Sequence, residues 1–334
     1  MSAPPLSAAR RVVILWTGRL GDILVSTPFL DGLRRAVPGA RIGLITAEAG
    51  EGGARLLDCV DEVGVVRKGR RVLANAALVP FLGRTTDLLI DMNSAPSGTS
   101  TALARLSRAK AKAAFARGRG DGAFDLLAEA PGEREHMLAR YERLAALLGF
   151  SCAPRMRVPV PEADAAKAKR ALRVLHEGRL PVALFAGNFK KKENRWAEDR
   201  FAALADRLAD QRDLAPYWLA GPGELERVEA AAALAAARLP VLGPFSLGVT
   251  AGILGQSALY VGNCTGTSHL AVCAGTPTFT VLAGYTAAVW APPAAPPHWR
   301  AVSADWESCR EVGVEEAWKA LQPALAFCRS AKRA

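Results

Sequence analysis

The stretch YVGNCTGTSHLAVCAGTP, residues 260–277, brings Cys264, His269 and Cys273 together at the start of a helix-like apolar run. Three chemistries use such residues: a structural metal site, a cysteine nucleophile activated by a histidine, and an anion-binding loop. Zinc sites typically pair their cysteines as CxxC and need a fourth ligand, and this stretch offers neither. A nucleophile formed by Cys264 and His269 lacks an evident orienting partner.

The loop between the two cysteines has the composition of an anion cradle. The residues Thr265–Ser268 supply hydroxyl side chains, and Gly266 permits a close approach of the backbone. The loop also opens a helix, whose first N–H groups point outward at the positive end of the helix dipole. The sequence therefore favours an anion such as a phosphate at this point.

A second loop, in LWTGRLGDILVSTPFL, carries an acidic residue at a helix start. Gly18 and Gly21 allow a tight turn after a predicted strand, and Asp22 follows where the helix begins. Asp22 is interpreted either as a helix cap or as a carboxylate at the mouth of a cleft that serves as a general base. The loop has no GxGxxG, so it does not match the dinucleotide-binding fingerprint.

A third loop, in LFAGNFKKKENRW, is rich in basic residues. A predicted strand runs into Gly187 and Asn188, and a lysine cluster ending at Lys192 follows, with Arg195 shortly after. Such cations are either solvated or neutralise a departing diphosphate.

A fourth loop, in LAGPGELERVEAA, places Glu224 and Glu226 at the start of a helix. Acids in a first helical turn complement the helix dipole. A carboxylate in the same place is also able to accept hydrogen bonds from both hydroxyls of a ribose, and both interpretations stay open.

The elements that position these loops alternate between strands and helices. Strands are predicted at residues 11–17, 40–47, 61–68, 87–93, 181–187, 216–221, 258–263 and 276–284, with a Pro-rich linker near 151–163. In the helix TPFLDGLRRAVPG, apolar side chains fall on one face, namely Phe29, Leu30, Leu33 and Val37. The alternation indicates an α/β protein with two doubly wound parallel sheets, whose ligands bind beyond the carboxyl ends of the strands.

The net charge of +11 is distributed unevenly. Residues 1–160 hold 23 Lys and Arg against 15 Asp and Glu, whereas residues 161–334 hold 20 against 17. The densest run, residues 104–120, has six basic residues and no acid. This half is expected to meet an acidic partner, and nucleic acid, anionic lipid headgroups and a phosphorylated substrate all fit. A merely solvated face is the alternative.

Other features of the sequence argue against a disordered protein, a membrane-spanning protein and a protein held by disulfides. Half of the residues are hydrophobic, which is typical of a globular protein. No apolar run approaches the ~20 residues of a membrane-spanning helix, and no signal peptide is expected. The six cysteines include no CxxC pair and are expected to be reduced thiols.

Taken together, these segments resemble glycosyltransferase family 9, the ADP-heptose:lipopolysaccharide heptosyltransferases. The matching segments are RLGDILVSTPFLDGLRRAVPGARIGLIT, GNFKKKENRWAEDRFAALADRL, LAGPGELERVEAAA and YVGNCTGTSHLAVCAGTPTFTVLAG. The resemblance implies a GT-B architecture, with two Rossmann-like doubly wound domains facing a cleft. Residues 1–155 would form the acceptor domain, and residues 156–334 would form the nucleotide-sugar domain.

The resemblance also implies the reaction. It is an inverting transfer of a sugar to lipopolysaccharide core or a related surface glycan. The donor that the resemblance favours is ADP-heptose, which would supply heptose. Asp22 matches the catalytic base of the family, with Arg19 and Gly21 beside it on the acceptor side. No cofactor and no metal ion are implied. The alternatives are a different donor sugar, a protein or capsule acceptor, and a homologue whose degenerate donor site permits no turnover.

On the donor side, the loop that opens with Thr265 would hold the diphosphate, and a glutamate would bind the ribose. The implied donor-binding residues are Gly187, Asn188, Lys192, Arg195, Glu224, Glu226, Cys264, Thr265, Gly266, Thr267 and His269. Two residues depart from the family pattern. Cys264 stands where the family has an aspartate, and Asn194 stands where it commonly has a lysine.

The implied partners follow from this chemistry. The donor would be a nucleotide sugar, and the acceptor would be an acidic, phosphorylated glycolipid. A basic N-terminal domain would be drawn to the cytoplasmic face of the inner membrane, so a cytoplasmic protein with peripheral membrane contact is expected. Nucleic acid is not expected, because aromatic residues are not interleaved with the basic run. A non-enzymatic module that binds an anion or nucleic acid is the remaining alternative.

Overall fold

The computed structural model describes residues 6–67, 75, 78–176, 178–187, 195–292 and 295–333. The chain divides into two units, Met1–Met156 and Arg157–Ala334, and each unit contains its own parallel sheet. The division lies in an irregular segment between two helices.

Strands and helices alternate along the N-terminal unit. Its strands are β1 (Arg11–Trp16), β2 (Arg41–Ala47), β3 (Glu62–Val66), β4 (Thr86–Asp91), β5 (Ala109–Phe115) and β6 (Leu126–Ala128). Its helices are α1 (Leu20–Val25), α2 (Thr27–Ala36), α3 (Glu48–Ala54), α4 (Val79–Gly83), α5 (Gly98–Leu106) and α6 (Met137–Leu147).

The sheet of this unit has the order β3-β2-β1-β4-β5-β6 with parallel pairing throughout. All six residues of β1 are buried, which is typical of a parallel strand covered by helices on both faces. The apolar residues predicted to face the core from α2 are all buried: Phe29, Leu30, Leu33 and, at the C-cap position, Val37.

The C-terminal unit repeats this alternation. Its strands are β7 (Leu180–Phe185), β8 (Leu214–Leu219), β9 (Val241–Leu242), β10 (Leu259–Asn263), β11 (Thr278–Leu282) and β12 (His298–Val302). Its helices are α7 (Glu162–His176), α8 (Glu198–Ala209), α9 (Leu225–Ala233), α10 (Leu247–Gly255), α11 (Gly266–Cys273), α12 (Gly284–Val289) and α13 (Val314–Arg333). In the described part of the chain, no helix combines the length and the apolar character needed to cross a membrane.

The second sheet has the order β12-β11-β10-β7-β8-β9, again with parallel pairing. Its core includes the buried aromatic side chains of Trp196, Phe201, Trp218 and Phe279. In both sheets the first strand of the unit lies beside the fourth. Such a pair is a topological switch point, where connections leave towards opposite faces and a crevice opens at the carboxyl ends.

The predicted α/β class, two doubly wound parallel sheets, is confirmed. Eight strands were predicted, and they correspond to β1–β4, β7, β8, β10 and β11. The strands β5, β6, β9 and β12 were not predicted. In β5, AKAKAAF, exposed Lys110 and partly exposed Lys112 alternate with buried Ala111 and Ala113, so charge concealed a strand that is buried on one face.

One basic residue of the run 104–120 has a buried side chain. The guanidinium of Arg117 pairs with the carboxylate of Asp91 at 2.9 Å, and their side chains are 1% and 0% exposed. The Arg117 Nη1 also donates to the carbonyl oxygen of Asn93 over 3.0 Å, and the guanidinium lies 5.1 Å from the ring centroid of Phe124. Arg117 therefore joins β4 to the segment after β5 and is withdrawn from any external acidic partner.

Removal of this cation is predicted to destabilise the protein strongly. In Arg117→Met the carboxylate of Asp91 stays buried without its ion pair, which costs about 3–5 kcal/mol of the free energy of unfolding. Chemical denaturation monitored by circular dichroism measures this loss.

The matched control is Lys110→Met, which breaks the exposed pair of Lys110 with Asp87 at 2.7 Å. Exposed pairs contribute ~1 kcal/mol or less, so this variant is expected to stay near the unmodified protein. Equal losses in the two variants would contradict the importance assigned to the buried pair.

Candidate active site

The carboxyl end of β1 leads directly into the loop that carries Asp22. β1 ends at Trp16, and Asp22 is the third residue of α1. The Oδ2 of Asp22 accepts a hydrogen bond of 2.5 Å from the backbone N–H of Arg19. The Nε1 of Trp16 donates to the carbonyl oxygen of Asp22 over 3.0 Å. Asp22 is therefore the N3 partner in a capping box whose N-cap residue is Arg19, and the bond from the Arg19 N–H sets the direction of its carboxylate.

Gly18 is needed because Asp22 lies against it. A Cβ added to Gly18 would lie 2.4 Å from the Cβ of Asp22 and 2.9 Å from its Oδ2. A Cβ added to Gly50 of α3 would lie 2.7 Å from the carbonyl oxygen of Gly18. Two glycines thus let the loop close around the carboxylate. Arg19 is exposed, and Gly21 and Asp22 are partly exposed, so a ligand can reach all three.

Hydrogen bonds join the start of this loop to the buried ion pair. The Oγ1 of Thr17 donates to the Oδ1 of Asn93 over 2.8 Å. The Nδ2 of Asn93 in turn donates to the Oδ1 of Asp91 over 2.6 Å, and Asp91 pairs with Arg117. The base of the Asp22 loop is therefore held by a network within its own sheet.

Tyr141 of α6 makes an aromatic contact with Trp16, the last residue of β1 before this loop. Its side chain is fully buried, and its ring packs edge-on against Trp16 with 6.2 Å between centroids. Burial raises the pKa of Tyr141 well above its usual range, and the negative charge of Asp22 raises it further. The Tyr141 hydroxyl thus stays protonated within electrostatic reach of Asp22.

The second loop begins where β10 gives way to α11. Thr265 caps this helix, and its Oγ1 accepts a hydrogen bond of 3.2 Å from the Thr267 N–H. The Oγ of Ser268 accepts from the Thr265 N–H over 2.9 Å and donates to the Thr265 carbonyl over 2.8 Å. Two hydroxyls that the sequence assigned to an anion are therefore engaged in the cap. The partly exposed Gly266 and Thr267 lie at the surface of the loop.

Cys264 and His269 lie close together in this loop, with 3.7 Å between Sγ and Nε2. His269 is buried and Cys264 is partly exposed. Desolvation nevertheless raises the pKa of the Cys264 thiol to about 12, against a smaller opposing effect of Ser268. A thiol that is neutral near pH 7 is a poor nucleophile, which weighs against the interpretation of Cys264 and His269 as a nucleophile pair.

The metal interpretation has a further geometric test. Within the described residues, the group of side chains close enough to share an ion is formed by Asp31, Asp58 and Cys59. Cys264, His269 and Cys273 are not part of such a group.

The two glutamates after β8 differ in their surroundings. Glu224 is the N-cap residue of α9 and is partly exposed, whereas Glu226 is exposed in the first helical turn. Burial raises the pKa of Tyr260 on β10, and the charge of Glu224 acts in the same direction. Glu224 therefore lies within electrostatic reach of the strand that leads into the Cys264 loop.

The basic loop lies partly outside the described residues. Asn188 and Lys192, as well as Asn194, fall in residues 188–194, which are not among those described. Gly187 is buried just beyond β7. The Nη1 of Arg195 pairs with the Oε1 of Glu198 at 3.0 Å, and the Arg195 side chain is 13% exposed.

Three buried residues next to these loops were not predicted from the sequence: Asn93, Tyr141 and Asn263. Asn263 is fully buried at the end of β10. Both asparagines stand at the end of a predicted strand, and a polar residue in that position was the available signal. Tyr141 offered no such signal, because it lies on an ordinary helix face.

Solved structures share this fold over nearly the whole chain. The glycosyl transferase family 9 protein from Veillonella parvula DSM 2008 matches with a TM-score of 0.84 and 20% identity, covering 97% of this chain and 99% of its own. ADP-heptose LPS heptosyltransferase II from E. coli matches with a TM-score of 0.74 and 16% identity, covering 95% and 99%. E. coli heptosyltransferase WaaC with ADP matches with a TM-score of 0.70 and 22% identity, covering 95% and 99%.

These likenesses confirm the GT-B class of fold. No match was found among curated proteins. The sequence model described as glycosyltransferase family 9 (heptosyltransferase) matches residues 77–315, which is more than half of the chain. The protein is therefore a member of glycosyltransferase family 9.

Proposed function

We propose that this glycosyltransferase inverts the anomeric centre of its donor sugar, with Asp22 as the general base. The observation that carries the proposal is the fixed, accessible carboxylate of Asp22 at the carboxyl end of β1. The preferred donor is ADP-heptose, and the preferred acceptor is lipopolysaccharide core or a related surface glycan. Family membership and the E. coli neighbours named for heptosyltransferase activity support this choice.

In the proposed reaction Asp22 removes the proton from an acceptor hydroxyl. The oxygen attacks the anomeric carbon from the face opposite the diphosphate, so a new C–O bond forms as the bond to the diphosphate breaks. The configuration at carbon inverts in this single displacement, and no covalent sugar–enzyme intermediate forms. Because the cap bond holds the carboxylate in one direction, little reorganisation is needed before proton transfer.

The donor diphosphate is assigned to the start of α11, next to Gly266 and Thr267. Backbone N–H groups and the helix dipole favour an anion there. Lys192 and Arg195 would offset the charge of the departing diphosphate, so the proposal requires no metal ion. Of the two glutamates, Glu224 is favoured for the ribose because it lies at the N-cap of α9 with its Oε2 against Gly221 of the loop after β8, whereas Glu226 is exposed on the helix. The remaining donor residues of the proposal are Gly187, Asn188, Glu226, Cys264, Thr265 and His269.

The acceptor is proposed to be acidic and phosphorylated. Arg19 is exposed beside Asp22 and is assigned, with Gly21, to acceptor binding. The positive charge of the N-terminal half supports attraction to an anionic glycolipid at the cytoplasmic face of the inner membrane. The buried Arg117 makes no contribution to that attraction.

Cys264 supports an alternative proposal, a donor other than ADP-heptose. A neutral thiol stands where the family resemblance implies a carboxylate, and it removes one negative charge beside His269. A protein or capsule acceptor and a homologue without turnover are the further alternatives to the preferred reaction.

Replacement of Asp22 separates its two roles. In Asp22→Asn the side-chain amide retains an oxygen that accepts from the Arg19 N–H, so the cap and the thermal stability are expected to persist. Loss of the base should lower transfer by about 10²–10⁴-fold while nucleotide affinity stays unchanged. Asp22→Ala should lose the same activity and also about 0.5–2 kcal/mol of stability. Retained transfer in a folded Asp22→Asn protein would refute the base assignment.

The nucleotide preference is tested by thermal shift with ADP, UDP and GDP. Binding to the folded state raises the melting temperature as ligand concentration rises above the dissociation constant. ADP is expected to raise it, and UDP and GDP are expected to have little effect. A shift with UDP or GDP alone would replace the proposed donor, and no shift with any of the three would favour the homologue without turnover.

Restoration of the family residue tests the donor sugar. Cys264→Asp is expected to lower KM or raise kcat for ADP-heptose, because a carboxylate accepts hydrogen bonds from sugar hydroxyls far better than a neutral thiol does. The isosteric Cys264→Ser supplies a polar control without the charge. Unchanged or slower transfer in Cys264→Asp would indicate a site adapted to another sugar.

A further inference from the structure

Asn263, which was not predicted from the sequence, links three segments around the basic loop. Its side chain is fully buried at the carboxyl end of β10. The Oδ1 accepts a hydrogen bond of 3.0 Å from the Trp196 N–H. The Nδ2 donates to the carbonyl oxygens of Gly187 over 3.0 Å and Ala186 over 3.4 Å. One amide therefore joins the end of β10 to the end of β7 and to the segment that enters α8.

The need for an amide follows from the strand pairing. The backbone register of β10 with β7 runs from Leu259 opposite Val182 to Gly262 opposite Phe185 and extends no further. Beyond that pair the strands part at the switch point, where Gly187 and Trp196 are buried and their backbone groups need partners. Asn263 satisfies a carbonyl and an N–H together, which requires a donor and an acceptor on one side chain.

The three joined segments carry the residues assigned to the diphosphate. Gly187 ends the first segment, Arg195 directly precedes Trp196, and the Thr265 cap lies two residues after Asn263. Trp196 is anchored independently, because its Nε1 donates to the Val312 carbonyl over 2.7 Å. Loss of the Asn263 bonds would therefore shift the relative positions of these segments more than it would unfold them.

We propose that Asn263 is a positioning residue, whose amide sets the spacing between the Gly187 and Arg195 segments and the start of α11. This inference depends on the proposed function, because it assumes that a diphosphate lies at these segments. Because Asn263 is fully buried, it would act on the ligand through the protein groups that it holds.

The test uses Asn263→Asp, which keeps the size of the side chain and the acceptor for Trp196 but replaces the donor that faces Gly187. Calorimetric titration with ADP and AMP measures affinity for a diphosphate and for its shorter counterpart. ADP affinity is expected to fall about tenfold or more, the equivalent of one or two hydrogen bonds to the ligand. AMP affinity is expected to change less than about threefold, because AMP lacks the second phosphate.

Thr276→Val is the matched control in the same unit. Thr276 is buried, and its Oγ1 donates to the Leu254 carbonyl over 2.6 Å, so the variant also removes a buried bond to the backbone. It should lower the melting temperature without changing ADP affinity.

Several outcomes would overturn the positioning role. They are unchanged ADP affinity in Asn263→Asp, equal losses for ADP and AMP, and failure of this isosteric variant to fold. ADP binding by the unmodified protein separates this inference from the proposed function. If the unmodified protein binds no ADP, both fail. If it binds ADP and the variant binds equally well, only the positioning role fails.

Discussion

The parting of two neighbouring strands at the centre of each sheet is the constraint on which the candidate site depends. The connections after these strands leave towards opposite faces, so their carboxyl ends diverge and a crevice opens. Divergence also interrupts the backbone hydrogen-bond ladder in a buried place, where unpaired N–H and C=O groups are costly. In the C-terminal unit the side chain of the buried Asn263 meets this requirement, and in the N-terminal unit the buried Asn93 lies just after the corresponding strand.

The two asparagines hold the adjoining loops in different ways. Asn263 bonds directly to backbone groups on either side of the basic loop. Asn93 instead connects the Thr17 hydroxyl to Asp91, whose charge is balanced by Arg117 inside the unit. In both units, hydrogen bonds of a buried asparagine thus hold the start of a loop that carries polar side chains. A site built in this way holds its groups in place before the substrates arrive, as electrostatic catalysis requires.

The sequence predicts those parts of the fold that depend on residues close together in the chain. Eight of the strands, the buried apolar residues of α2 and the capping bond of Asp22 follow from periodicity and from helix-end chemistry. The edge strands β6, β9 and β12 were missed because they are short or mixed in polarity. Arg117 was missed as a buried residue because its partner, Asp91, lies 26 positions away, and no local pattern reports such a pairing.

The same limit applies to the candidate site. Glycines and polar residues after each strand indicated which loops matter, but not which atoms of those loops face a ligand. The Thr265 and Ser268 hydroxyls turn inward to cap α11, and the bonds of Asn263 span 67 to 77 residues. Such contacts exist only once the sheet has assembled.

The most direct test of the central claim is a transfer reaction followed by mass spectrometry, with ADP-heptose as donor and a truncated lipopolysaccharide core as acceptor. The account predicts that the acceptor gains the mass of one heptose residue and that ADP is released. Analysis of the product should show the anomeric configuration opposite to that of the donor. Transfer with retained configuration would contradict the single displacement, and a lack of transfer from ADP-heptose and from other nucleotide sugars would contradict the assignment of an active transferase.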